Sequence, residues 1–502
     1  MGNYCEACFE KQRTIDKLQE EVRRLKEQLK YRKNKEAEGF FGSSTPSSQI
    51  PVKANTDKKK NRRKKGAKVG HAGKGRTSCP PEEAAEVIEL EPVKLCSHCE
   101  GDIVIFETDE RTVIESEPLR PKRRVYRCPH GRCVKCGRFA RTKAPSVLPK
   151  SLYGNQLIAN AAVMHYVHGV PMGRICEQLG IGAGSLMGIF HRLAGFFKKV
   201  PDTLALEYRA SWVKHADETG WRKDGNNGYA WLFATDKISI FLFGRTRAAS
   251  VAKEILGEDP LPGYLVVDRY SGYNWALCII QYCYAHLLRD VEDLEKDFPE
   301  DNEVKAFVAV MAPLLALAIK LRKQPISDEE FYIRAKKVKS EIIAAVKLPA
   351  LHLGIRHLQD VFQEKEHRMY HWAVDRRVPA DNNLAERGIR PTVVARKVSF
   401  GSQSDAGAET RSILMTVLCT LRKRGFDATA QLKTVLDKLA EDLLQDPFPL
   451  LFPAAPMTPE ETTRASMHAT IPLPAIDQPS ISLTVQQVGA ASSFMAPAAH
   501  SP

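Results

Sequence analysis

No uncharged apolar run in this chain reaches the length of a bilayer span. The longest uncharged apolar run, Ala306 to Ile319, falls short of the roughly 20 residues needed and carries Pro313. The opening residues, "MGNYCEACFEKQ", lack the apolar core of a secretory signal. A soluble, cytoplasmic protein without a membrane partner is expected. Acidic residues are scarce early on: residues 1–150 hold 34 Lys and Arg against 21 Asp and Glu, an excess of 13 in a chain whose formal charge is +14. A basic first third ahead of a near-neutral body points to a polyanion partner, most simply nucleic acid. Charge and periodicity also fade near the end, where Pro, Ala and Ser dominate, so 446–502 reads as a disordered tail.

What is present in quantity is cysteine and apolar surface. The 502 residues are 43% hydrophobic, enough for two or three domains with a sizeable core. Twelve Cys in a chain with no export signal argue for metal ligands and buried thiols over disulfides. Six of them fall in three CxxC pairs: Cys5 with Cys8, Cys96 with Cys99, and Cys133 with Cys136.

The organisation can be followed along the chain. In 1–38, Ile15, Leu18, Val22, Leu25 and Leu29 step by three and four, an a/d seam of about two heptads that suggests a short coiled coil and a homo-oligomer. Residues 39–81 form a flexible linker whose core, Lys58, Lys59, Lys60, Arg62, Arg63, Lys64 and Lys65, can neutralise phosphates without reading sequence. In 82–145, two CxxC pairs about thirty residues apart suit a tetrahedral structural Zn²⁺. Cys96, Cys99, Cys133 and Cys136 are the simplest ligand set, with Cys128, His98 and His130 also within reach. Residues 146–205 read as helical, and "RICEQLGIGAGSLMGIFHRLA" has the pattern of a helix-turn-helix. Its second helix opens on Ala183, Gly184 and Ser185, which are poor readers of base edges, so DNA contact and a plain helical hairpin stay equally open.

From Leu206 the pattern turns to strands. "GYAWLFAT" and "ISIFLFG", separated by Asp236 and Lys237, read as a hairpin, and "TRAASVAKEILG" as a helix capped by Thr246 and stopped by Gly257. "GYLVVDRYSGY" is a short apolar strand ending in Asp268; "WALCIIQYCY" is another, running into a helix. An antiparallel meander followed by further strand and helix units is the order of a ribonuclease-H-like α/β core, spanning 206–445 with a helical insertion at about 300–375. An Asp that closes an apolar strand is costly to desolvate unless it is hydrogen-bonded or metal-bound. In this frame Asp217 sits on the first strand and Asp268 at the end of the fourth. Glu386, in "PADNNLAERGIRP", supplies a third carboxylate on a helix opened by Asp381 or Asn382. Taken locally, Glu386 also has Arg390 four residues on as an ion-pair partner. Three carboxylates converging on Mg²⁺ fit phosphoryl transfer by a pair of cations about 3.5–4 Å apart. Arg387, Arg390, Arg396 and Lys397 lie close by in the chain, placed to hold DNA phosphates.

The ordered set "HADETGW", "VVDRYSGYN", "CYAH", "DNNLAERGIRP" and "ARKVSFGSQSDAG" resembles the DDE transposases of the insertion-sequence-66 family. The resemblance covers nearly the whole chain, including the N-terminal zipper, the basic linker with "VGHAGKGR" and the zinc region. It implies that Asp217, Asp268 and Glu386 are the Mg²⁺-binding triad, with Mn²⁺ able to substitute, of an enzyme that binds element ends, cleaves DNA and joins it to a target. Asp217 would then serve both metals and the other two carboxylates one each. "CYAH" resembles a CxxH motif of several transposase families, which makes His286 a possible auxiliary residue. Companion proteins encoded by the same element are further possible partners, and a prokaryotic cytoplasmic setting, nucleoid-associated on DNA, is implied. The alternative of another class is a non-catalytic DNA-binding protein, a decayed or repurposed transposase; a general nuclease without preference for element ends is a third.

Overall fold

The computed structural model describes residues 6–37, 80–83, 87, 121–132, 134–136, 138–141 and 143–453. The chain divides into two units, Met1–Phe452 and Pro453–Pro502, and every element named below lies in the first. The basic run Lys58 to Lys65 and three of the four favoured zinc ligands, Cys96, Cys99 and Cys133, fall outside the described residues.

The N-terminal part comprises helix α1 (Glu6–Ala37), a two-stranded antiparallel ribbon of β1 (His130–Arg132) and β2 (Phe139–Arg141), and four helices. These are α2 (Asn155–Tyr166), α3 (Met172–Leu179), α4 (Ala183–Phe196) and α5 (Val200–Ala210). Gly180 closes α3 in the left-handed conformation at φ 62°, the role its place in the expected turn required.

Five strands then build one sheet in the order β5-β4-β3-β6-β7. β3 (Val213–Gly220), β4 (Tyr229–Ala234) and β5 (Ser239–Arg245) form the antiparallel meander that the β-rich runs called for. After α6 (Ala249–Leu256), β6 (Tyr264–Val267) and β7 (Ile279–Tyr282) add on in parallel. Gly257 stops α6 at φ 76°, but the N-cap is Ala248 and not Thr246. Thr246 lies two residues earlier, its hydroxyl accepting the Ala248 N–H at 3.4 Å and its carbonyl the Trp231 indole N–H at 2.9 Å.

Both sheet edges are covered. Helix α12 (Asp405–Lys423) presents Ser412, Thr416 and Thr420, spaced by four, and their hydroxyls accept the N–H groups of Phe243, Phe241 and Ser239 at 2.9, 2.9 and 3.1 Å. One helix face thus satisfies the outward row of β5, an edge that would otherwise be open to pairing with another chain. At the other edge the Gln281 side-chain amide donates to the Met369 carbonyl at 3.0 Å and accepts from Trp372 N–H at 3.2 Å.

Between β7 and α11 (Asn383–Ser399) stands the expected helical insertion. α7 (Tyr284–Asp297) leads into it from β7, and its helices are α8 (Asn302–Leu321), α9 (Asp328–Lys347) and α10 (Leu353–Glu364). Asp301 caps α8 and Ser327 caps α9 through backbone N–H groups. α8 reaches the length and mean hydropathy of a membrane span because it extends beyond the apolar run on both sides. It also buries a stripe, Val304, Val308, Met311, Leu315, Ala318 and Leu321, at the spacing of a packed helix. α1 docks on this insertion through Gln28, which is buried and accepts Leu353 N–H at 3.4 Å, and through Tyr31, edge-on to Phe298 at 5.4 Å. Its a/d residues point elsewhere: Ile15, Leu18, Val22, Leu25 and Leu29 are 45–55% exposed. α13 (Ala428–Glu441) and α14 (Pro447–Leu451) complete the unit.

Candidate active site

β3 is buried along nearly its whole length, and its alternation decides what faces where. His215, Asp217 and Thr219 share one side; Lys214, Ala216 and Glu218 share the other. The parallel pairing sets Val213 against Tyr264 and His215 against Val266. Continued by one alternation, that offset puts Asp217 level with Asp268, the residue just beyond β6.

Glu386 arrives on the first turn of α11. The helix start is fastened to the sheet by Asn382, whose side-chain oxygen accepts from His215 Nδ1 at 2.9 Å and whose amide donates to the Ala216 carbonyl at 2.8 Å. Asn382 N–H also donates to Cys283 Sγ at 3.1 Å, and Tyr284 N–H to the Ala380 carbonyl at 2.7 Å, which ties the end of β7 to the same segment. Asn382 therefore occupies the N-cap position without capping through its side chain. Asp381 accepts the Asn383 N–H instead, at 3.2 Å.

Asp217 is 4% exposed. One carboxylate oxygen accepts Glu218 N–H at 3.0 Å; the other is buried with no hydrogen-bond partner. Burial, and then the charges of Glu218, Asp268 and Glu386, push the Asp217 carboxyl well above the usual carboxylate range. An orphaned, buried oxygen among three other carboxylates costs on the order of 1–3 kcal/mol unless something positive meets it. Asp268 accepts Tyr270 N–H at 2.9 Å, closing a tight turn that holds its carboxylate at the strand end.

Glu386 does not turn toward Arg390, which is exposed. Its carboxylate lies 3.7 Å from His286 Nδ1 and 3.8 Å from Cys283 Sγ. Cys283, His286 and Glu386 each bring a ligand atom to within 4.8 Å of one another, a grouping able to hold a metal in which neither Asp217 nor Asp268 takes part. Burial, with the Glu386 charge behind it, holds the Cys283 thiol far up its titration range, so it stands there as a neutral SH.

The basic residues expected to hold phosphate divide. Arg387, Arg390 and Lys397 are exposed on α11. Arg396 is half-buried, and its Nη1 donates to the Gly220 carbonyl at 2.6 Å and the Thr219 hydroxyl at 3.3 Å, so part of its guanidinium closes the end of β3. Cys136 is exposed in the turn after β1.

One carboxylate escaped the sequence reading. Glu218, 1% exposed on the opposite side of β3, accepts from Arg247 Nη2 at 2.8 Å and Nε at 3.0 Å, and from the Tyr273 hydroxyl at 2.9 Å. Arg247 in turn lies 4.1 Å from the Tyr270 ring centroid. Burial and the Asp268 charge push the Glu218 carboxyl up to about 7, against the pull of Arg247 and Tyr273. Tyr270 and Tyr273 belong to the turn that follows Asp268, so this network fastens that turn to β3. The adjacency of Asp217 and Glu218 in "HADETGW" was the available signal, since neighbours in a strand must face opposite sides.

A family model described as "Transposase IS66 family" matches residues 150–410, which contain the sheet, the insertion and α11. Among curated proteins, the chain is similar to "Uncharacterized protein y4qI" of Sinorhizobium fredii (strain NBRC 101917 / NGR234), 27% identical over 403 residues, 72% of this chain and 73% of that protein. It is also similar to "Uncharacterized protein y4jD" of the same organism, 23% identical over 439 residues, 78% of this chain and 84% of that protein.

Proposed function

The chain belongs to the Transposase IS66 family, and from that premise we propose that Asp217, Asp268 and Glu386 form the divalent-cation site at which it cleaves and joins DNA. The observation that carries the reading is the buried, unpartnered oxygen of Asp217, with Asp268 level on the neighbouring strand and the Glu386 charge acting on it. An all-carboxylate donor set suits a hard cation such as Mg²⁺ or Mn²⁺. Bound there, such a cation would polarise a phosphodiester and favour ionisation of an attacking water or 3′-hydroxyl.

The chain's own residues do the positioning. Asn382 holds the start of α11 on β3, and Glu386 follows one turn later on the same helix face. The Glu218, Arg247 and Tyr273 network steadies the turn that carries Asp268. His286 borders Glu386 from α7, within reach to orient its carboxylate. Arg387, Arg390 and Lys397 on the exposed side of α11 supply cations for phosphates of the strand being cut.

The strand order, a three-stranded antiparallel meander extended by two parallel strands, supports the ribonuclease-H-like reading of the core. The exposed a/d seam of α1 supports pairing with a second copy of the chain. The linker lysines and the Zn²⁺ module complete the reading as the parts that engage element ends.

The test uses purified protein and DNA carrying the sequences that flank its gene, incubated with Mg²⁺ or with EDTA. Asp217→Asn, Asp268→Asn and Glu386→Gln should each abolish Mg²⁺-dependent cleavage and joining while leaving binding to the same DNA intact. Cleavage that survives all three substitutions overturns the carboxylate site. Binding without any cleavage by the unaltered protein leaves a DNA-binding protein only.

A further inference from the structure

Two stretches of the sequence have no part in the carboxylate site: "GWRKDGNNGY", which follows Asp217 along the chain, and "FGSQSDAG", which follows α11. They meet around a cavity of about 540 Å³ lined by Trp221, Arg222, Tyr229, Arg396 and Phe400. The join is specific. Ser402 N–H donates to the Arg222 carbonyl at 3.0 Å, Asp224 N–H to the Ser402 carbonyl at 2.8 Å, and the Trp221 indole to the Ser402 hydroxyl at 3.0 Å. Gly401, at φ 138°, lies so close to Arg222 that a Cβ would come within 2.2 Å of its carbonyl oxygen.

Phe400 is the conspicuous member. Its backbone is left-handed at φ 60°, which for a bulky residue costs on the order of 1–3 kcal/mol, yet its side chain is not buried in return: it is 73% exposed at the cavity. Arg222 is exposed, and among the described residues no carboxylate pairs with it. Arg396 uses Nη1 on the Gly220 carbonyl and keeps Nε and Nη2 for another acceptor. Gly220 lies three residues beyond Asp217 on β3, about 10 Å at ~3.3 Å per residue. That is within about three steps of a nucleic-acid strand at 3.4 Å per step.

We propose that this cavity takes one unstacked nucleotide of the DNA strand beside the cleavage point, its base against Phe400 and Tyr229 and its phosphate on Arg222 and Arg396. Aromatic faces stack on any base, and guanidinium groups match phosphate oxygens, so the lining favours a nucleotide of any sequence. The molecule has a second aromatic and cationic cavity, near Trp212 and Tyr332 and also lined by Arg322, but its Arg376 and Arg377 are already paired with Asp328 and Asp375 at 2.6 and 2.7 Å, and Arg377 already lies over the Trp212 ring at 4.5 Å. The location on the DNA rests on the carboxylate reading above; the binding itself needs no metal.

The full-length protein is titrated in EDTA, by fluorescence anisotropy, against a fluorescein-labelled ten-nucleotide oligothymidylate and an abasic strand of equal length and charge. The unaltered protein should prefer the thymidylate by roughly 5- to 150-fold, the fold-change that stacking of about 1–3 kcal/mol per base gives. Phe400→Ala should remove the preference without changing affinity for the abasic strand, Phe400→Trp should keep it, and Arg222→Ala should weaken both strands by the same factor. Equal binding of the two strands by the unaltered protein overturns the proposal, as does a preference that survives Phe400→Ala. Loss with Trp as well as with Ala overturns the stacking role, because the loop backbone alone would then be responsible. Failure here alongside intact Mg²⁺-dependent cleavage removes only the nucleotide cavity, whereas a base preference without cleavage removes only the catalytic reading.

Discussion

Arg411 on α12 is a buried cation, 7% exposed, with no carboxylate against it among the described residues, and its nearest polar partner is a histidine. His165 on α2 accepts from Arg411 Nη2 through Nε2 at 2.8 Å, while its Nδ1 sits 2.9 Å from the Val170 carbonyl. A carbonyl can only accept, so Nδ1 carries the proton and Nε2 must stay bare for Arg411 to be satisfied. Burial first, and then the Arg411 charge, depress the His165 pKa from 6.5 to about 4. The sign follows directly: the unfolded chain binds this proton below about 6.5 and the folded one only below about 4, so stability is lost as pH falls between those values. The difference of roughly 2.5 units is worth about 3 kcal/mol when fully expressed. His165→Gln supplies the same donor and acceptor without titrating. Urea unfolding of both proteins from pH 7 to pH 4 should show the stability gap shifting toward the variant by up to about 3 kcal/mol. Trp221, whose ring centroid is 5.0 Å from the Arg411 guanidinium carbon, is the local fluorescent reporter. A gap that stays flat across that range would refute the reasoning.

Two further outcomes test how the carboxylates are held. Asn382→Ala leaves His215 Nδ1–H and the Ala216 carbonyl buried and unpaired, a cost of about 2–4 kcal/mol in urea unfolding, together with slower Mg²⁺-dependent cleavage; Asn382→Asp, which keeps an acceptor for His215 but no donor for Ala216, should fall between. Arg247→Ala strands the Glu218 carboxylate and should cost about 3–5 kcal/mol, most of it recovered in the double variant Glu218→Gln with Arg247→Met; a double variant as unstable as the single would show that the ion pair is not what matters.

The strands were legible because "GYAWLFAT" and "ISIFLFG" are β-rich runs split by Asp236 and Lys237, and the sheet uses both as antiparallel neighbours. The helical insertion was legible as the long interval between Asp268 and Glu386 that reads as helix, and α8, α9 and α10 occupy it. What could not be read was the use of polar side chains across long separations. Thr246 has the chemistry of a cap, but the helix starts two residues later, so its hydroxyl accepts only the Ala248 N–H at 3.4 Å. Asn382 has the chemistry of a cap too, and spends it on β3, 167 residues upstream in the case of His215. Capping propensity is local, whereas a buried donor or acceptor elsewhere in the fold carries a larger penalty if left unmet, so the distant partner wins.

The same reasoning applies to Glu386, which the sequence left between an ion pair with Arg390 and an inward-facing role. A Glu four residues before an Arg earns only about 0.2–0.5 kcal/mol from an exposed helix pair. In the structure Arg390 stays in solvent and Glu386 turns inward, toward His286 and Cys283 and close enough to raise the Asp217 pKa. Turning a carboxylate away from an available cation and to where its charge acts on a buried Asp217 is electrostatically unfavourable for that aspartate. Asn382, which bolts the helix start to the strand bearing Asp217, is what holds it there. The repulsion that Asp268 and Glu386 exert on Asp217, together with the Asp217 oxygen left without a partner, is what supports the proposed cation site.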